Sequence, residues 1–265
     1  MAVRVRDVIN TLVEPVEQIN QTVDKLLYGN KNDLVTGIVT TFIMSHDVLK
    51  QAKSLGANFI VSHEGVCYSH HDDFKTLLTN DQVWQEKERF IHTSGMNIFR
   101  FHDYLHRYQP DGITQGLIES LSWESYIIEQ ELAYTVIHIP KMQMKDVAEY
   151  IKSKLGIEYV RVMGNDTMIC QRIGILVGYR GNGDIAIPLF EKHSLDLMIY
   201  GEGHEWETPE YVRDALEQGG QKALIVLGHA ESEEPGMAAL KNRLKHIYPN
   251  IPVHHVSERP LFKIF

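Results

Sequence analysis

The stretch from Leu34 to Ser62 constrains this chain more than any other. "LVTGIVTTFIM" (34–44) is β-branched and strand-like, "SHDVLKQAKSLG" (45–56) has the spacing of a short helix, and "ANFIVS" (57–62) is a second strand. Ser45 offers an oxygen to cap the helix, and Gly56 tolerates the turn that ends it. Two strands separated by a helix cannot pair as a hairpin. They form a βαβ unit, a parallel pair with a right-handed crossover.

The alternation continues. Residues 6–28 carry apolar side chains at helical spacing, with Pro15 beginning a second segment or kinking the first. A helix is expected over 72–95, then a strand over 96–102, then a helix capped by Asp111 or Thr114. Residues 126–170 hold "LAYTVIHIP" as a strand, "KMQMKDVAEYIKSKLG" as an amphipathic helix and "EYVRVMG", an order that suggests a small α+β unit of its own. Strands follow at 172–178, 196–202 and 222–229, separated by helices at "IAIPLFEKHSL" and 208–220, the latter with Thr208 as cap and Pro209 at its first position. The last helix is "EEPGMAALKNRLKHIYP". Such alternation implies an α/β fold with mostly parallel strands, in which ligands bind at the carboxyl ends of the strands.

Composition narrows the function classes. The 265 residues suffice for one large domain or two small ones, and a 43% hydrophobic, 23% charged composition is that of an ordinary globular chain. A net charge of −9 argues against nucleic acid as a partner. No apolar run approaches the ~18 residues of a membrane span, and "MAVRVRDVINTLVEPVEQ" lacks the core of a signal peptide. Cys67 and Cys170 are too few for a disulfide framework, so a cytoplasmic protein with reduced thiols is expected. The unusual feature is 14 histidines.

Several of those histidines stand at strand ends. His63 and Glu64 follow strand 57–62; His102 follows strand 96–101, with His106 four residues on; His229 and Glu233, also four apart, follow strand 222–227. Strand 196–200 runs into Glu202, His204, Glu205 and Glu207. An i,i+4 pair at a helix start points both groups to one side, the spacing of a helix-borne chelate. Histidine and carboxylate without thiolate suit Zn, Mn, Fe or Co. Six such groups exceed the three or four that one catalytic zinc takes, whereas a pair of ions would use them. A single strand-end histidine is more often solvated or bonded to backbone than a ligand; three such ends on one sheet edge favour metal. No HExxH is present, since "HEGVC" and "HEWET" lack the second histidine, and "GYRGNGD" lacks the Lys-Ser/Thr of a phosphate loop.

Four stretches, "VTGIVTTFIMSHDVLKQAKSLGANFIVSHEG", "FRFHDYLH", "LMIYGEGHEWE" and "VLGHAESEEPG", resemble the Nif-three-like dinuclear metal-centre family, also called GTP cyclohydrolase 1 type 2 homologues. The last is the most specific, for the family ends a strand in Gly-His and places Glu four residues after the His. The resemblance covers roughly 34–106 and 172–240 and is poor over 126–170. It implies two related α/β lobes with mostly parallel strands, the first completed by the C-terminal segment. In this chain that division would be 1–125 with 223–265, a metal-binding lobe, and 126–222, a second lobe.

Carried over position by position, the implied ligands are His63, Glu64, His102, His106, His229 and Glu233, holding two divalent transition-metal ions (Zn, Fe or Mn). The family commonly has His-His where this chain has His63-Glu64, and Asp where it has His106. The two changes offset each other, so four histidines and two carboxylates remain. The resemblance also implies a toroidal homohexamer and a metal-dependent hydrolase of cyclohydrolase type acting on a nucleotide or related small molecule. Glu202 and His204 offer acid–base chemistry or bonds that hold ligating histidines, with solvated or structural roles as the other reading. The alternative is a non-enzymatic metal store, metallochaperone or ring-shaped scaffold. Tyr68, His70, His71, Asp72 and Asp73 read as the loop and cap of the next helix, with lining the metal cavity as the alternative, and Cys67 as a small buried or loop thiol in preference to one that approaches the metals. The tryptophan-containing segment many members carry near the N-terminus is replaced by "TVDKLLYGN".

Overall fold

The structure, a computed structural model, describes residues 2–71, 73–257 and 260–264. Its chain divides into two units, Met1–Tyr108 with Met237–Phe265, and Gln109–Gly236.

The first unit opens with α1 (Val5–Val13), β1 (Lys25–Tyr28), β2 (Ile38–Thr41), α2 (His46–Ser54), β3 (Phe59–Ser62), α3 (Gln82–Ser94), β4 (Asn97–Arg100) and α4 (Asp103–His106). As expected, β2, α2 and β3 form a parallel βαβ unit, with Ser45 accepting from the Val48 N–H to cap α2 at 3.1 Å. Strands β2, β3 and β4 are buried along their whole lengths, as parallel strands covered on both faces must be. Thr41 pairs with Ser62 and Ser62 with Arg100, so β3 and β4 end level with each other. The segments carrying His63 and His102 therefore leave the sheet side by side.

The helix expected over 6–28 stops at Val13, and β1 instead pairs antiparallel with β4, Lys25 opposite Arg100. Pro15 denies the helix a backbone donor, and "KLLY" reads at period two as well as at helical spacing. The helix expected from 72 begins only at Gln82, where the Asp81 side chain accepts from the Trp84 N–H at 2.9 Å. Asp73–Lys75 is a single 3₁₀ turn, and Asp72 lies outside the described residues.

The second unit comprises α5 (Gly112–Ser120), β5 (Ile127–Gln130), β6 (Thr135–Gln143), α6 (Met144–Leu155), β7 (Arg161–Met163), β8 (Ile169–Ile175), α7 (Gly183–Lys192), β9 (Leu197–Tyr200), α8 (Thr208–Glu217) and β10 (Ala223–Val226). Its sheet runs β5-β6-β8-β9-β10-β7. Only β8, β9 and β10 are parallel neighbours; β5, β6 and β7 join antiparallel. The segment 126–170 is thus no separate α+β unit, because β6 pairs with β8 and β7 with β10 in one sheet. Asp111 is the cap of α5, accepting from the N–H groups of Ile113 and Thr114. Thr208 does not cap α8: its hydroxyl donates to the Gly181 carbonyl.

The chain closes with α9 (His229–Ile247) and β11 (Val253–His255). Helix α9 starts at His229, earlier than the sequence reading placed it, because Pro235 is accommodated inside the helix rather than marking its start. The first turns of α9 belong to the second unit and the remainder to the first. Strand β11 pairs with β2 in parallel, Val253 opposite Ile38, so the C-terminal segment does complete the first sheet. Among the described residues no helix is long and apolar enough to cross a membrane.

Where α5 crosses the start of α9, both helices carry glycine. A Cβ on Gly116 would lie 2.4 Å from the Gly236 Cα, a separation that real side chains do not tolerate. Backbone cannot yield as a flexible side-chain tip would. The expected outcome for Gly116→Ala is a loss of about 1–3 kcal/mol in unfolding free energy, the usual cost of overpacking, read from the urea midpoint.

Candidate metal centre

In the first unit the chemistry begins one residue past β3. His63 is fully buried, and its Nδ1 meets the Phe101 carbonyl at 3.2 Å. A carbonyl only accepts, so Nδ1 carries the proton and Nε2 the lone pair. His102 is oriented in the same way, donating from Nδ1 to Asp103 Oδ1 at 2.9 Å. Asp24 caps the short helix that follows, accepting the N–H groups of His102, Asp103 and Tyr104 at 2.8, 2.9 and 3.0 Å. That cap sets the position of His106, one turn further on. The rings of His63, His102 and His106 form a triangle with centroids 4.4, 5.0 and 4.8 Å apart. One nitrogen from each lies within 4.8 Å of the others, close enough to hold one metal ion.

Glu64, His70 and His102 make a second such group, sharing His102 with the first. Arg100 organises it. The Arg100 side chain is wholly buried and donates to Glu64 Oε2 at 2.8 Å, to His70 Nδ1 at 3.1 Å and to the carbonyls of His63 and His70. The other oxygen, Glu64 Oε1, stands 3.6 Å from His102 Nε2. Burial, and next the neighbouring His63, push His102 down to about 4, so it is a neutral imidazole near pH 7. Burial lowers His70 as well, with Arg100 adding to the effect. A neutral imidazole lone pair facing a carboxylate favours a cation between them. The donor set therefore fits a divalent ion.

The second unit carries a separate group. His229, at the head of α9, joins Glu202 Oε1 through Nδ1 at 2.9 Å and Glu233 Oε2 through Nε2 at 3.2 Å. Burial opposes protonation here, but the bonds to Glu202 and Glu233 outweigh it and raise His229 to about 10. Gly178, just past β8, leaves room for this pair. Its φ is +55°, and a Cβ there would fall 2.2 Å from Glu233 Oε1 and 3.1 Å from His229 Nε2. Glu202 thus orients a histidine, as carboxylates behind metal-binding histidines do. His204 accepts from or donates to the Tyr179 hydroxyl through Nε2 at 2.6 Å and stacks on Trp206 at 4.2 Å between centroids.

Of the residues singled out in the sequence, His63, Glu64, His102 and His106 are brought together in the first unit, and Glu202, His229 and Glu233 in the second. Three were missed. His70, read as loop, stands against His102 with ring centroids 4.9 Å apart. Arg100 is the last residue of a strand and looks like any strand-end cation. Asp24 lies in a segment read as helix. For His70 a signal existed in the His-rich run itself; for Arg100 and Asp24 nothing local marked them.

A buried charge that loses its partner is costly. In protein freed of metal by a chelator, Glu64→Ala is expected to lower unfolding free energy by about 3–5 kcal/mol, because Arg100 then lacks its carboxylate. Glu64→Ala combined with Arg100→Met should recover most of that loss. Chemical denaturation of the three proteins checks it.

Known proteins are similar in sequence or in fold. A GTP cyclohydrolase 1 type 2 homolog from Clostridium perfringens is 23% identical over 254 residues, 91% of each chain. The solved Staphylococcus aureus protein SA1388 superposes with a TM-score of 0.76 at 18% identity over 99% of each chain. A Bacillus cereus protein related to NIF3 gives 0.74 at 13% identity over the whole of both chains. The model of the family Duf34/NIF3 (NGG1p interacting factor 3) matches residues 3–260, and the chain belongs to that family.

Proposed function

We propose that this protein holds two divalent transition-metal ions (Zn, Fe or Mn) on His63, Glu64, His102, His106, His229 and Glu233, and that it is a metal-dependent hydrolase acting on a nucleotide or related small molecule. The observation that carries the metal reading is His102, a neutral imidazole shared by two groups of potential ligands. The substrate class rests on the name of the clostridial relative, and a shared fold does not fix a substrate. When bound, a pair of such ions activates water and polarises the bond it attacks.

The chain's own residues prepare that chemistry. The Phe101 carbonyl and Asp103 each take one ring nitrogen of a histidine and so choose the nitrogen left to bind, while Glu202 holds Nδ1 of His229 and turns Nε2 to Glu233, so that an ion there would take the place of the Nε2 proton. Arg100 fixes the Glu64 carboxylate. His204, bonded to the Tyr179 hydroxyl, is the first candidate for moving a proton, and Glu202 is the second. One observation favours the non-enzymatic reading, a metal store, metallochaperone or ring-shaped scaffold: Glu202 is already engaged by His229. Turnover assays over a nucleotide panel separate the two readings, since a store or scaffold yields no product.

Untagged protein reconstituted with Zn, Mn and Fe is expected to carry about two ions per chain by elemental analysis; none bound would overturn the metal reading. In an Arg100→Met background, which leaves no buried guanidinium stranded when Glu64 is replaced, Glu64→His and His106→Asp, each alone, should weaken at least one ion, and the pair together should recover much of the binding. Strong non-additivity in that cycle is the expected result, as for neighbours sharing a partner. Additive losses would remove at least one of the two from the ligand set. The same reading proposes a toroidal homohexamer, to be checked by light scattering across the micromolar range, where monomer alone would refute the ring.

A further inference from the structure

The second unit contains a cavity of about 250 Å³ that none of the proposed metal chemistry uses. It opens between the sheet edge at β7 and the first turn of α8. The strand registers explain its floor: Val226 lies opposite both Tyr200 and Arg161, and Leu224 opposite Met163, so these side chains share one face. Tyr200, Leu224, Val226 and Met163 make an apolar base, and Pro209 of α8 covers one side.

Two features show that this is more than a packing gap. The first lies at the bottom. Tyr200 is 1% exposed, and its hydroxyl has no hydrogen-bond partner among the described residues. Burial raises this phenol to about 12, so it stays a neutral hydroxyl able to donate and to accept. A buried polar atom left in this state forfeits its solvation with nothing in return, and such exceptions call for an explanation. The second feature lies at the mouth. Arg161 pairs with Glu205 at 2.7 Å, and Arg213 with Glu210 at 3.0 Å, all four side chains lining the cavity and largely exposed. The rim therefore presents two guanidinium forks and two carboxylates, with no net charge.

Each class of ligand meets this arrangement differently. A simple anion would find the arginines but also two carboxylates; a simple cation would meet the reverse. A hydrocarbon would leave the Tyr200 hydroxyl unpartnered. A zwitterion satisfies both rim charges at once, and a polar atom on its body reaches the hydroxyl. The volume falls below the ~300–1,000 Å³ of pockets for drug-sized ligands, which suits a smaller molecule. We propose that this cavity binds a free amino acid with a polar-tipped side chain. Its carboxylate lies on Arg161 and Arg213, its ammonium on Glu205 and Glu210, and its side chain on the apolar floor against the Tyr200 hydroxyl.

The test uses the full chain loaded with metal and calorimetric titration with each of the twenty L-amino acids up to ~10 mM, an affinity limit of only a few kcal/mol. At least one amino acid with a polar side-chain tip is expected to bind. Removing its amino group or its carboxylate should weaken binding at least about tenfold, as each loss removes the charge-assisted bonds to one pair of rim groups. Tyr200→Phe should weaken it by a similar factor while leaving the thermal midpoint of the unliganded protein unchanged or higher, since the hydroxyl it deletes has no partner to lose. Four results would overturn the proposal: no amino acid binds, the deaminated analogue binds as well, Tyr200→Phe lowers the unliganded midpoint, or His102→Ala abolishes a signal that Tyr200→Phe leaves intact. The last result would mean chelation at the metal centre. Because the cavity and the metal groups share no residue, an empty metal centre would leave this outcome independent.

Discussion

A guanidinium with no water around it must be neutralised from within the protein, and the end of β4 is arranged around that need. Arg100 is the terminal residue of β4, level with Ser62 of β3, and its side chain is fully buried. One carboxylate, one imidazole nitrogen and two carbonyls converge on it. Glu64 follows as a consequence. With one oxygen held by Arg100, the other is turned to His102, and the carboxylate becomes a bridge between a structural charge and a candidate ligand cluster. This gives a physical reason for a carboxylate at position 64. A histidine there would leave the guanidinium without its counter-charge.

The second unit solves a similar problem with other means. His229 sits between two carboxylates, and space for them depends on a glycine in the left-handed region at position 178. Ser232, one turn into α9, accepts the Gly178 N–H at 2.9 Å and donates to the His229 carbonyl at 2.8 Å, locking the strand end to the helix start. Orientation is supplied by backbone and neighbouring side chains, so the histidines need not search for their rotamers.

How much of this was legible from sequence alone depends on whether the deciding interaction is local. The β2–α2–β3 unit and the caps Ser45 and Asp111 were readable, since each is settled within a few residues. The strand-end groups were readable because apolar runs stopped abruptly in histidine and carboxylate. Strand β1 was not, as its partner Arg100 is far along the chain and its own pattern suits either period. The antiparallel β6, β7 and β8 pairings escaped for the same reason: alternation of strands and helices implies parallel order, and nothing local reverses it. Arg100 and His70 needed the folded arrangement to show which groups they face.

The place of β11 has a consequence for how the chain is made. Val253 pairs with Ile38, so the first sheet acquires this strand only after the whole of the second unit has been synthesised. The second unit, by contrast, is one continuous segment, Gln109–Gly236. It can fold on emerging from the ribosome while the earlier-made β2 still presents an unpaired edge, since domains fold as units during synthesis. During that interval β2 is a template for unwanted pairing with other chains. The order of synthesis and the order of completion are therefore inverted between the two units, and the earlier-made unit is the one that depends on protection until β11 has emerged.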